Sequence, residues 1–144
     1  PRFSGSGAAS LKNLHEDEGA VEVQVPVDTL DAYFSLNKLG AFDLAKIDVE
    51  GAELMVVNGG SNAIRQHKPL LFLELLRKWS KPFGYHPNDL IGLLRGWGYG
   101  CYAFSEGRLD SFDTMTDETM QTNFFFAHPD RHSAWLAAHD LKSS

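Results

Sequence analysis

Residues 69–76, Pro-Leu-Leu-Phe-Leu-Glu-Leu-Leu, are apolar at every position except Glu74. A strand with one solvated face alternates apolar and polar residues, whereas a strand covered on both faces reads as a continuous apolar run. This segment therefore calls for a sheet with layers on either side. A second apolar run, residues 42–49, precedes it and is interrupted by Asp43, Lys46 and Asp48. Between the two, Gly51 turns the chain, and residues 52–66 show helical spacing through Leu54, Val57 and Ile64. The pair Gly59-Gly60 weakens or splits that helix. Strand, helix, strand in this order is a βαβ unit, expected to have parallel strands and a right-handed crossover. The fold class is α/β.

The flanks supply further elements. Residues 21–25 alternate Val and polar residues as a half-buried strand does, and Pro26 limits it to an edge or its end. Thr29 or Asp28 is placed to cap a short helix over 30–34 that stops near Gly40. Residues 79–87 read as a loop, and Asn88 is expected to cap a helix over 89–97 with Leu90, Leu93 and Leu94 on its apolar face. A strand over 99–105, a tight turn at Glu106-Gly107 and a partner over 108–112 form a hairpin. Residues 114–122 are a polar connection, 123–128 a last buried strand and 131–141 an amphipathic helix. Residues 4–10 and 15–19 read as loops.

Bulk properties exclude several function classes. The 144 residues predict one domain over 1–144, large enough to bury its own core. A net charge of -6 without any basic stripe argues against a nucleic-acid partner. No apolar run approaches the ~20 residues that span a bilayer, so no membrane partner is expected, and no leader is seen. The single cysteine, Cys101, excludes an internal disulfide and points to a reducing, cytoplasmic setting. Inside a strand it reads as an inert small hydrophobe. The chain opens on Pro1-Arg2-Phe3 without methionine, as expected of a piece cut or processed from a longer one.

In open α/β sheets ligands bind beyond the carboxyl ends of the strands. Asp48 and Glu50 sit there at spacing two, so both lean to one face; Glu74 is near the end of the next strand. Three such acids repel one another unless a metal, a cationic substrate or a shared proton relieves them. Lys46, two residues before Asp48 and on the same side, is expected to supply part of that relief. Glu53 falls in the first helical turn, where the dipole favours its charge. Each acid also has a structural reading: Asp48 or Glu50 as a cap, Glu53 as a dipole complement, Glu74 paired with Arg77 or Lys78. Trp79, Tyr85 and His86 lie in the following loop, where aromatic residues line substrate pockets or simply pack the loop. His128 and His132 are four apart, but the intervening Pro129 argues against a shared helical face for metal. Ser4-Gly5-Ser6-Gly7 follows no strand and is not read as a phosphate loop.

The order of segments is itself informative. "VPVDTLDAYF" leads into "FDLAKIDVEGAELMVVNGG", then "KPLLFLEL", "GWGYGCYAF", an "EGRL" turn and "NFFFAHP". From about Gly5 to His128 this resembles the second half of the FkbM-type S-adenosylmethionine-dependent methyltransferases, most specifically at "KIDVEGAE". The resemblance implies a partial Rossmann-like class I methyltransferase sheet: three layers, mostly parallel strands and a C-terminal antiparallel hairpin over 99–128. It also implies methyl transfer from S-adenosylmethionine to a hydroxyl of a small molecule or glycan. Asp48 and Glu74 match the strand-end positions at which metal-dependent relatives hold a divalent ion. Lys46, Asp48, Glu50 and Glu74 are thus the expected catalytic residues, and Glu53, Trp79, Tyr85 and His86 the expected pocket. The family's glycine-rich cofactor turn and ribose-gripping acid have no counterpart in this sequence. The chain alone is therefore expected to be inactive.

Two rivals remain at this level. "KIDVEG" loosely resembles the Asp-x-Asp nucleophile strand of haloacid-dehalogenase-like phosphatases, with Glu50 in place of the second Asp; magnesium-dependent phosphatase activity lost on Asp48→Asn would mark that class. A degenerate, non-catalytic methyltransferase-like domain would instead self-associate through an exposed sheet edge at the strand ending in Asp48.

Overall fold

The structure, a computed structural model, describes residues 11–12 and 24–139. The expected loops over 4–10 and 15–19 lie outside them, as do residues 21–23 of the expected first strand. Gln24 and Val25 belong to no strand.

The βαβ unit forms as its patterning requires. Strand β1 (Leu44–Ile47) runs parallel to β2 (Leu70–Glu74), with Lys46 opposite Phe72 and Ile47 opposite Leu73. The connecting helix is split into α2 (Glu53–Gly59) and α3 (Ser61–His67). Helix α1 (Leu30–Asn37) crosses the break: a Cβ on Gly60 would stand 2.7 Å from Leu30 Cδ2. From α1, Asp31 accepts the amides of Asn62 and Ala63 at 3.0 and 2.9 Å, satisfying the start of α3. Thr29 caps α1 itself, its Oγ1 accepting from the Ala32 amide at 3.1 Å.

The remainder of the sheet corrects the expectation of a mostly parallel arrangement. The strand order is β1-β2-β5-β3-β4, with β3 at Gly100–Ser105, β4 at Arg108–Ser111 and β5 at Asn123–Ala127. Among the described residues only β1–β2 is parallel; β2–β5, β5–β3 and β3–β4 are antiparallel. The terminal hairpin is therefore β3–β4, and β5 inserts between β2 and β3. The reason lies in Phe124 and Phe126, both fully buried: an edge would leave them exposed, so the returning strand takes the central slot. Because β5 opposes both neighbours, β1, β2 and β3 still share one direction. The β3–β4 turn places Glu106 and Gly107 at φ 51° and 84°, the doubly positive pattern of a two-residue hairpin loop.

One face of the sheet carries Ile47, Leu71, Leu73, Cys101, Phe124 and Phe126, packed against Val57, Ile64, Leu90, Ile91 and Leu94 from α2, α3 and α5 (Pro87–Gly96). Leu93, expected on the apolar face of α5, is only half-buried, and Ile91 takes that place. His86 rather than Asn88 caps α5: its Nδ1 accepts the Asn88 amide at 3.1 Å, and Asp89 returns the bond to the His86 amide at 2.8 Å. Pro87 at the first helical position moves the start forward, because its missing N–H costs nothing there. Asn88 instead exchanges two hydrogen bonds with the Met115 backbone, at 2.8 and 3.0 Å, pinning the 112–122 connection. The expected loop over 79–87 is largely helical, containing α4 (Arg77–Ser80) and a 3-10 turn, Lys81–Phe83.

Phe125 points to the opposite face, where Trp135 of α6 (Pro129–His139) meets it with ring centroids 5.8 Å apart. Pro129 again sits at a helix start, so α6 begins earlier than the spacing from Arg131 predicts. His128 and His132 serve that start. His132 Nδ1 accepts the His128 amide at 3.1 Å, and His128 Nδ1 accepts the Asp130 amide at 3.2 Å.

Candidate functional site

The turn that leaves β1 is built from two left-handed residues, Glu50 at φ 51° and Gly51 at φ 98°. A Cβ on Gly51 would lie 2.2 Å from the Trp79 carbonyl oxygen, so α4 packs directly on the turn and only glycine fits. A non-glycine residue held left-handed is strained and persists where its surroundings fix it. Glu53 does the fixing. Its side chain is 3% exposed, Oε1 accepts the amides of Val49 and Gly51 at 3.2 and 3.0 Å, and Oε2 accepts the Tyr85 hydroxyl at 2.9 Å. Burial, and then the Glu53 charge, push the Tyr85 hydroxyl well above its ordinary range, so it stays a donor.

The residues expected to line a substrate pocket make structural contacts here. Glu53 and Tyr85 face inward and hold the backbone, and His86 is used as a helix cap. Trp79 is half-buried with the Lys78 ammonium 4.1 Å from its ring centroid.

The acids nearer the strand ends do come together. Lys46 Nζ lies 2.6 Å from Asp48 Oδ2. The Asp48 and Glu74 carboxyls are close enough to shift each other's protonation, and the charge of Glu50 reaches Glu74. The bond from Lys46 holds Asp48 below the usual carboxylate range, against the opposing effect of burial. Glu74 moves the other way: burial first, then Asp48, raise it above that range. Neighbouring carboxyls pushed apart in this way divide the work, one staying ionised and the other exchanging a proton. Neither expected cation partner of Glu74 engages it. Arg77 bonds the Thr116 and Asp117 carbonyls, and Lys78 lies over Trp79.

Of the three ways to relieve converging acids, the arrangement shows a cation, the Lys46 ammonium on Asp48, and the raised Glu74 favours keeping a proton there. The residues do not fit a divalent metal. Asp48 Oδ2 is taken by the Lys46 ammonium, and among the described residues no group of three or more His, Cys, Asp or Glu is placed to hold an ion. Cys101 is no nucleophile either, since burial pushes its thiol up to about 12.

One feature escaped sequence reading. Phe72, Phe104, Gln121, Asn123 and Phe125 line a cleft of about 340 Å³ beside Glu74, which pairs with Asn123 across β2–β5. The available signal was parity: Phe72 and Glu74 are two apart, and so are Asn123 and Phe125. In runs this apolar, parity does not tell which face is covered.

The family model for the methyltransferase FkbM domain matches residues 2–101. The chain belongs to the FkbM methyltransferase family. No curated protein and no solved structure matches it. The matched part of this FkbM domain includes the Asp48–Gly51 turn, β1, β2 and α5; β4, β5 and α6 lie beyond it. Membership supersedes the phosphatase reading of Asp48 and Glu50. No helix among the described residues is long and apolar enough to cross a membrane.

Proposed function

We propose that this FkbM domain serves S-adenosylmethionine-dependent O-methylation, with Glu74 accepting the proton of the acceptor hydroxyl. The observation that carries this reading is the Lys46–Asp48–Glu74 chain at the carboxyl ends of two parallel strands. Lys46 keeps Asp48 ionised. Asp48 in turn raises the proton affinity of Glu74, which suits it to general-base work nearer neutral pH. Glu50 adds negative charge on the same side, and Glu53 and Tyr85 hold the turn that presents Asp48 and Glu50. S-adenosylmethionine, when bound, supplies an electrophilic methyl group on a sulfonium. Cofactor contacts are not assigned to these residues. The turn from β1 into α2 carries a single glycine, Gly51, and the Trp79 carbonyl packs against it.

The same reading places the domain in the reducing cytoplasm, in keeping with its lone buried thiol. It also makes the outer edge of β1, which pairs with no other strand among the described residues, a contact for a further copy. Light scattering at high concentration is expected to show association, and a clean monomer would count against that part.

Labelled-methyl transfer tests the reading. A protein that carries this domain and binds S-adenosylmethionine, taken as the parent, is expected to methylate hydroxyl acceptors, and its Glu74→Gln variant to lose about 10²–10⁴-fold, the usual worth of a general base. Undiminished transfer by that variant would overturn the assignment. Isothermal titration of the 144-residue chain with S-adenosylmethionine is expected to show no micromolar binding.

A further inference from the structure

The cleft beside Glu74 is ordered by the sheet register. Phe72 stands opposite Phe125, ring centroids 4.7 Å apart, and Glu74 stands opposite Asn123 in the next row on the same face. Same-face residues on a strand are about 7 Å apart, so Glu74 stands one row beyond Phe72, beside Asn123 and next to the cleft lining. Phe104 follows Ala103, which pairs with Phe124, and the continued register sets it beside Asn123. Half of Phe104 is exposed, so the cleft opens to solvent.

The chemistry of the lining restricts the occupant. A volume of about 340 Å³ is at the small end for ligand pockets, enough for one or two rings. Three phenylalanine rings favour stacked or edge-on contact with another flat ring. One N–H of each amide is already used: Gln121 Nε2 donates to the Asn123 carbonyl at 2.6 Å, and Asn123 Nδ2 to Thr122 Oγ1 at 3.0 Å. Each side chain keeps its second N–H and its oxygen, a small polar edge that a single hydroxyl can meet. A sugar would leave several hydroxyls without partners against the rings, which is costly.

We infer that this cleft binds the methyl acceptor, and that the acceptor is a flat, largely apolar molecule of one or two rings whose hydroxyl points along β2 to Glu74. This deepens the proposed function and rests on it.

The test is a titration of the 144-residue chain with 2-naphthol, followed by the ring signals of Phe72, Phe104 and Phe125 and the side-chain amides of Gln121 and Asn123. Saturable shifts at these groups are expected, with naphthalene at least tenfold weaker and methyl glucoside silent. Phe104→Ser, at a half-exposed position, is expected to weaken 2-naphthol about tenfold. Shifts elsewhere, equal response to the glucoside, or no loss in Phe104→Ser would overturn the inference. So would cleft signals that move with protein concentration alone, which would show a second copy filling it. The two levels separate cleanly. Methyl transfer by the parent without cleft shifts defeats only the acceptor class, whereas cleft binding without any methyl transfer defeats the enzymatic reading beneath it.

Discussion

Glu53 Oε2 accepts the Tyr85 hydroxyl at 2.9 Å while Oε1 holds the amides of Val49 and Gly51. One buried carboxylate thus ties the segment before α5 to the turn that ends β1. Glu53→Ala strands two backbone donors and a phenol in the interior, which predicts a loss of about 2–4 kcal/mol in chemical denaturation. Tyr85→Phe removes one of the three bonds and is expected to cost less, about 1 kcal/mol. Equal effects would show that the hydroxyl, rather than the amides, carries the clamp.

Glu74 gives a pH signature with a definite sign. Its folded pKa is raised, by burial and by Asp48, so the folded state binds the proton more tightly than the unfolded chain does. Between the ordinary Glu value and the raised one, stability therefore falls as pH rises. Glu74→Gln removes this loss. The variant is expected to match the unsubstituted chain in urea denaturation at low pH and to exceed it at pH 8. A variant less stable than the unsubstituted chain at pH 8 would contradict the arrangement.

Cys101 is 4% exposed, and its thiol is pushed up to about 12. Thiol-reactive reagent at pH 8 is expected to label the native chain at least tenfold more slowly than the urea-unfolded chain. Rapid labelling of the folded protein would show that the β3–β5 core opens readily.

Phe124 fills the middle of that core from β5, beyond the segment matched by the family model. Phe124→Ala is predicted to cost about 3–5 kcal/mol by chemical denaturation. A cost under 1 kcal/mol would mean that β5 is not integral to the sheet.

Much of this was legible in the residues. The all-apolar 69–76 run and the helical spacing before it specified the parallel β1–β2 pair, and Gly51 marked the turn. The meeting of Asp48 with Glu74 followed from strand-end position, whereas Glu50 reaches the same side from a left-handed turn after β1, where period two no longer applies. What was not legible depends on longer range. Nothing local to residues 123–127 says that β5 slots between β2 and β3, since that choice is made by the burial of Phe124 and Phe126 against distant strands. Glu53 illustrates the same limit. In sequence it is one more acid near the site, but a buried carboxylate within reach of two turn amides becomes part of the backbone framework. His86 was displaced from the pocket by Pro87, which fixed where α5 starts.

The carboxyl pair is the centre of the account, and a carbon-13 NMR titration of the Glu74 carboxyl examines it without any substrate. In the parent chain Glu74 is predicted to titrate above the other glutamates. In Asp48→Asn its midpoint should fall back toward the ordinary range, because the neighbouring charge is gone. A Glu74 that titrates with the other glutamates, or one that ignores the Asp48→Asn change, would contradict the account.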